Sequence, residues 1–414
     1  MTSRTLTVIA TCFAGLLSLP AEGGPVSLDA VNDAAAFLAG MELPHRKDHP
    51  LARISSWEYH VKQMDNEFGG HQERVLFPMT KWSAEEIRSA DGSEDAQALV
   101  RYMFSGPDLL HVYHMFPQAE TYVLCGLEPV GELPAISMLD SGNAERALAE
   151  VRNALGEAIN FSFFRTADMK DDLKFAVFRG ATPIMSIFLA RSGQYIKDLE
   201  FFVLEKDGTL TGQGLESSGA DAVKIVFSPR RLERTKTLYY FSSNLHDSGF
   251  GKTGFRTWLE AQPDGHAYLK AASFLMHGSG FTQIRQHLLD RSFQIIQDDS
   301  GIPYRHFDGT VWYGDLYGNY TGPIDLFAER YQGDLRGAYR KRSKPLPFGT
   351  GYKWRKGESN LMRFLKQDHV AATAESDDAD ESDTAPEGEG SVGESEDPVE
   401  ADVGDPVNDP SETR

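Results

Sequence analysis

Residues 97 to 129 constrain this chain more than any other stretch. "QALVRYMF" has the apolar and aromatic content of a buried strand, "SGPDLLHVYHMFP" reads as the helix behind it, and "ETYVLCGLEP" as a second buried strand. The helix carries its own punctuation: Ser105 is the expected cap, Pro107 is tolerated in the first turn, Asp108 completes a capping box, and Pro117 is the stop. Two strands joined through a helix within about 30 residues make a crossover unit, so the chain should build a sheet with helices packed on it.

The remaining pattern mixes both periods. "SLDAVNDAAAFLAG" predicts a short helix opened by Ser27 and closed by Gly40. Residues 143–159 predict a longer helix with Leu148, Val151, Leu155 and Ile159 on one stripe, and "TPIMSIFLARSG" a third. A strand-rich part follows: a hairpin turning at Asp207-Gly208, then "AVKIVFSP" and "KTLYYFSS", all expected to pair antiparallel. Helical stretches near 255–261 and 281–291 precede a hairpin-like "FQIIQDDSGIPYRHF" and a region rich in aromatics, Gly and Pro from Val311 to Trp354. With 41% hydrophobic residues and no internal repeat, the expected class is α/β (mixed α+β). One large or two closely packed mixed domains over residues 24–370 fit, with a possible division near 195–220.

Residues 1–23 read as a secretory signal. Arg4 supplies a basic start, Leu6 to Leu19 an apolar run too short to span a membrane comfortably, and Ala21 and Gly23 a small-x-small cleavage site. The expected localisation is therefore periplasmic or extracellular, with no transmembrane segment in the mature chain. Cys12 leaves with the signal, so Cys125 has no intramolecular disulfide partner, and in "TYVLCGL" it reads as an inert core thiol. The net charge of −20 is concentrated at the end: residues 371–414 hold 16 acidic residues against one Arg. Nothing in that tail can be buried, so it is expected to be disordered, and its sign argues against nucleic acid as a partner.

The motifs that could carry chemistry each have a plain structural explanation. "HDSGFGKTG" (246–254) ends like a phosphate loop, but the first glycine such a loop needs would fall at His246; a glycine-rich connector into a helix is expected, with no cofactor. "LMHGSGF" resembles an oxyanion loop, yet no Gly-x-Ser-x-Gly elbow accompanies it. His111 and His114, one helical turn apart with Asp108 before them, could hold Zn²⁺; the apolar stripe of Leu109, Val112, Tyr113 and Phe116 instead assigns Asp108 and His111 to a solvent face. His45, Asp48 and His49 form a further possible ligand set on a Pro-bounded loop. Asp298 and Asp299 should point apart and, with Ser300-Gly301, form a turn. Asp168, in "RTAD" with Arg165, belongs to a polar pocket or to a helix start. Ser242, His246 and Asp247 crowd into one loop, which is not how triads assemble. The catalytic candidates are thus Asp108, His111, Asp168, Asp298 and Ser300, and the metal candidates His111 and His114. Trp312, Tyr313, Tyr317 and Tyr320 could form an exposed surface for a carbohydrate or protein ligand, or a loop folded over the core.

The blocks "FSGPDLLHVYHMFPQAETYVLCGLEPVG" (104–131), "QDDSGIPYRHF" (297–307) and "PLPFGTGYKW" (345–354) resemble a family of uncharacterised exported bacterial proteins with no assigned activity. The resemblance implies export and one folded module across residues 40–360, and carries over no catalytic residue. The expected function is that of an exported binding or envelope-associated factor. The alternative is an extracytoplasmic hydrolase whose site is assembled from dispersed Asp, His and Ser residues.

Overall fold

The computed structural model describes residues 27–87, 99–133, 136, 139, 142–161, 180–230 and 232–369. The signal-like segment, Arg165 and Asp168, and the acidic tail lie outside the described residues.

Ser27 caps α1 (Leu28–Leu38) by accepting from the Ala30 N–H. A long helical rod follows: α2 (Ser55–His71), a π-helical turn (Gln72–Leu76) and α3 (Phe77–Glu86). Pro78 explains the widened turn, because a proline inside a helix clashes with the carbonyl four residues earlier, here that of Arg74, and cannot donate to it. Then come β1 (Leu99–Met103), α4 (Leu109–Met115) and β2 (Thr121–Gly126), the predicted crossover. The helix starts later than expected, with Asp108 rather than Ser105 as its cap. After α5 (Ala144–Phe161) and α6 (Ala181–Arg191), strands β3 (Gln194–Leu204), β4 (Leu210–Gly212), β5 (Ala222–Pro229) and β6 (Lys236–Ser242) form the expected antiparallel part. The chain ends with α7 (Gly254–Glu260), β7 (Gly265–Leu269), α8 (Thr282–Arg291), β8 (Ser292–Gln297), β9 (Trp312–Gly318), α9 (Gly333–Arg342), β10 (Ser343–Lys344) and β11 (Asn360–Lys366).

All eleven strands join one mixed sheet in the order β10-β9-β11-β8-β7-β1-β2-β6-β5-β3-β4. Residues 195–220 lie within it rather than at a boundary. The five central strands, β8-β7-β1-β2-β6, run parallel. Alternation sorts their side chains onto two cores: Val100, Tyr102, Tyr122 and Leu124 pack beneath the N-terminal helices, while Leu99, Met103, Val123 and Cys125 pack on the side of α7, α8 and α9. Cys125 is buried, and burial pushes its thiol up, as an inert core position requires. The expected hairpin at 293–307 does not form. β8 instead ends at Asp298-Asp299-Ser300, a 3₁₀ turn follows at Tyr304–His306, and β11 takes the pairing position beside β8. The aromatic run beginning at Val311 is largely internal: Trp312, Tyr317 and Tyr320 are buried in β9 and just beyond it, and only Tyr313 is exposed. An exposed aromatic ligand surface is therefore corrected to a folded strand.

β1 is the turning point of the topology, with the next strand β2 on one side and the much later β7 on the other. Ligands of open α/β sheets sit outside the carboxyl ends of the strands at such a point. Among the described residues, the two non-glycine residues with left-handed backbones, Phe104 (φ 60°) and Ala271 (φ 56°), stand just beyond the ends of these neighbouring strands, β1 and β7. Such strain of about 1–3 kcal/mol persists only where the surroundings impose it.

Candidate functional site

The loops at the carboxyl ends of β1, β7 and β8 gather buried polar groups into one network. Asp108, capping α4, accepts from three directions. His111 Nδ1 lies 2.7 Å from Oδ1, while Lys270 Nζ and the Tyr102 hydroxyl each lie 2.9 Å from Oδ2. Asp108, His111 and Lys270 are all nearly inaccessible, at 2%, 1% and 1% exposure. This corrects the expected solvent face. The apolar stripe of α4 identifies one packed side, but α4 also packs against α3 and α6, so its polar side is internal and has to be satisfied by partners.

The network continues from His111 Nε2 to His71 Nε2, 3.1 Å away, at the last residue of α2 before the π turn. The order of partners assigns the tautomers. A carboxylate can only accept, so His111 donates from Nδ1 to Asp108 and its Nε2 carries a lone pair. His71 must then donate from Nε2, leaving its own Nδ1 as an acceptor. Burial of the Asp108 carboxylate is outweighed by His111 and Lys270, which hold its carboxyl well below the usual range. Burial, then the positive neighbours, push His71 down to about 2, and burial likewise lowers His111. Both rings are neutral at pH 7.

Around Lys270 the network reaches β8. The Ala271 N–H donates to Asp298 Oδ2 (3.2 Å), and the Ser300 N–H donates to Asp298 Oδ1 (2.9 Å), as does the Ser300 hydroxyl. Asp298 and Ser300 are thus the expected turn formers, but entirely buried, with the Ser300 hydroxyl committed to a carboxylate. Asp299 points the other way: Oδ1 accepts from Asn360 Nδ2 at 2.8 Å, and Oδ2 has no hydrogen-bond partner among the described residues. Burial raises Asp298; burial and the neighbouring Asp298 push Asp299 up to about 7. Gly351 closes the loop over this turn. A Cβ there would lie 1.8 Å from Asp298 Oδ2, and its φ of +67° favours glycine.

The relay ends at a cleft of about 450 Å³. One wall is the π turn with His71, Glu73 and Arg74; the other is the loop after β10 with Pro347, Trp354, Arg355 and Lys356. The Arg355 guanidinium stacks 4.5 Å over the Trp354 ring. Arg74, Arg355 and Lys356 line the cleft against Glu73, and Glu358 lies 3.7 Å from Arg355, so positive charge still exceeds negative there in an acidic protein.

Of the candidate residues, Asp108, His111, Asp298 and Ser300 therefore meet through Lys270 and Ala271, while Asp168 lies outside the described residues. His111 and His114 do not converge, since His114 Nδ1 turns to the Thr80 hydroxyl at 3.0 Å. His45, Asp48 and His49 separate as well: His45 pairs with Asp29, Asp48 with Arg53, and His49 accepts from the Leu51 N–H. In "HDSGFGKTG", His246 caps its own turn through Ser248, and Asp247 caps α8 by accepting from the Thr282 and Gln283 N–H groups. His277-Gly278 ends a 3₁₀ helix, as expected. Sequence reasoning missed His71 and Lys270; the usable signal was Pro78 within a helical pattern, which marks a widened turn next to His71. The three blocks 104–131, 297–307 and 345–354 come together here. The chain matches no protein-family model and no curated protein.

Proposed function

We propose that the protein binds small organic oxyanions at the His71 cleft and takes up a proton as it does so. The observation that carries this is the Asp108–His111–His71 relay ending between Arg74, Arg355 and Lys356. A volume near 450 Å³ suits a small molecule, and Val75, Pro78, Pro347 and Trp354 offer an apolar body a surface beside the cations. The groups acting on His71 are His111, Lys270, Asp108 and Arg74. Asp108 alone is acidic, and Lys270 already offsets it, so a second positive charge is disfavoured while the cleft is empty. An oxyanion supplies the missing counter-charge, and protonating His71 Nδ1 then turns an acceptor into a donor aimed at the ligand. Export belongs to this reading and is supported by the signal-like residues 1–23.

Hydrolysis is the second reading, supported by the acceptor that the order of partners leaves at His71 Nδ1. A ring held this far below neutrality is a weak base, which favours binding over catalysis. One probe separates the two. 4-Nitrophenyl sulfate keeps a single negative charge across neutral pH and reports cleavage by colour. Calorimetry in buffers of different ionisation enthalpy is expected to show proton uptake and about twofold tighter binding at pH 5 than at pH 8, since an opposing charge raises the proton affinity of a ring that starts at about 2 by at most about a thousandfold. His71→Gln is expected to abolish that pH dependence, and the double substitution Arg355→Ala with Lys356→Ala to weaken binding about tenfold at both pH values. Nitrophenolate release that requires His71 would replace the binding reading with the hydrolytic one, and absence of binding at either pH would refute both.

A further inference from the structure

A second crevice, of about 100 Å³, opens at the carboxyl ends of β1, β2 and β6. It uses the other side of the segment that carries Asp108: Phe104 and Gly106 line it, together with Glu128, Ser243 and Phe281. Its walls are apolar. The Phe104 and Phe281 rings meet edge to face at 5.6 Å, and the exposed side chains of Leu127 and Leu275 stand on its rim.

At its floor is a carboxyl group without a cation. Glu128 is 2% exposed, and no lysine or arginine pairs with it among the described residues. Among the described residues its donor is the Tyr240 hydroxyl, which is closer to the Glu128 backbone carbonyl (2.9 Å) than to Oε2 (3.4 Å). The seat is shaped for the carboxyl group: a Cβ on Gly126 would lie 2.3 Å from Oε2, so only glycine leaves room. Ser243, which also lines the crevice and is 8% exposed, has a buried hydroxyl with no hydrogen-bond partner among the described residues. Buried carboxyl groups are ordinarily paired and buried hydroxyls hydrogen-bonded, so both exceptions in one crevice point to a missing ligand.

We infer that this crevice binds a primary ammonium group attached to a small apolar body. An ammonium brings three N–H donors and a positive charge, which match the Glu128 carboxylate and the Ser243 hydroxyl, and the apolar part lies between Phe104, Phe281 and the rim leucines. A single carboxylate in apolar walls does not make a metal site. The charge preference is opposite to that of the His71 cleft, so the inference stands independently of the proposed function.

Benzylamine, benzyl alcohol and benzoate differ little except in the charge of the head group. Titrations followed by ¹H–¹⁵N NMR at pH 7.5 are expected to show benzylamine binding at least tenfold more tightly than benzyl alcohol, with shifts at Phe104, Leu127 and Ser243, and benzoate leaving these signals unmoved. Glu128→Gln is expected to remove the preference for the amine, and Ser243→Ala, a smaller change that tests the site should the glutamine variant unfold, to weaken benzylamine several-fold. Equal binding of amine and alcohol would overturn the inference, as would an unchanged amine affinity in Ser243→Ala or no benzylamine binding at 10 mM, roughly the weak limit for a small fragment.

Discussion

Asp299 offers a measurement in which the network should reveal itself as a cost. Its carboxyl group is 6% exposed, one oxygen has no partner among the described residues, and Asp298 adds a second buried carboxyl beside it. Together these push Asp299 up from 3.8 to about 7. The sign follows from proton counting. Below pH 4 the group is protonated in both states and contributes nothing. As pH rises from 4 to 7 the unfolded chain releases the proton while the fold retains it, so stability falls by about 1.4 kcal/mol per pH unit. Ionisation in the fold above pH 7 therefore carries a penalty of up to about 4 kcal/mol, an upper bound for so closely coupled a pair. Asp299→Asn keeps an oxygen for Asn360 and removes the charge. Urea unfolding is expected to find the variant more stable than the parent by about 1 kcal/mol at pH 4.5 and by about 2–4 kcal/mol at pH 8. A parent as stable as the variant at pH 8, or a difference independent of pH, would refute the account of this turn as strained by charge.

Two further outcomes follow from the same physics. Burial holds His60, His114, His277 and His287 down to about 4 and His71 to about 2, so all five stay neutral in the fold as pH falls below 6.5 while the unfolded chain takes up protons. Set against the opposite effect of Asp299, stability is expected to fall by roughly 5 kcal/mol per pH unit between pH 6 and 5 in equilibrium unfolding; a flat profile there would show that these rings are protonated in the fold. Ala271→Gly removes a left-handed strain of about 1–2 kcal/mol and adds back some unfolded-state entropy, so a net gain of up to about 1 kcal/mol in urea unfolding is expected; a loss would mean that the Ala271 methyl contributes packing exceeding the strain.

The fold was legible where local and global demands coincide. Residues 97–126 had to form a parallel pair because two buried strands and an amphipathic helix of that spacing have few other ways to hide their apolar faces. Ser27, Pro183 and Gly193 marked helix ends by chemistry that acts within one turn. Asp298 and Ser300 were legible as turn formers for the same reason. The "FQIIQDDSGIPYRHF" hairpin was misjudged because the partner of β8 is β11, more than 60 residues later, and strand pairing over that separation leaves no local trace.

The sequence by itself determined helices α1 and α4 to α8, the crossover and the identity of most polar residues in the network, because periodicity and capping are properties of neighbours along the chain; the α2–α3 rod and α9 emerged only from the structure. Tertiary structure alone decided that Asp108 and His111 are internal. Their burial depends on His71, 40 residues before His111, and on Lys270, more than 160 residues after Asp108. No local pattern separates a helix face meant for water from one meant for such partners, since both are polar. Only the packing that excludes water turns these side chains into a relay.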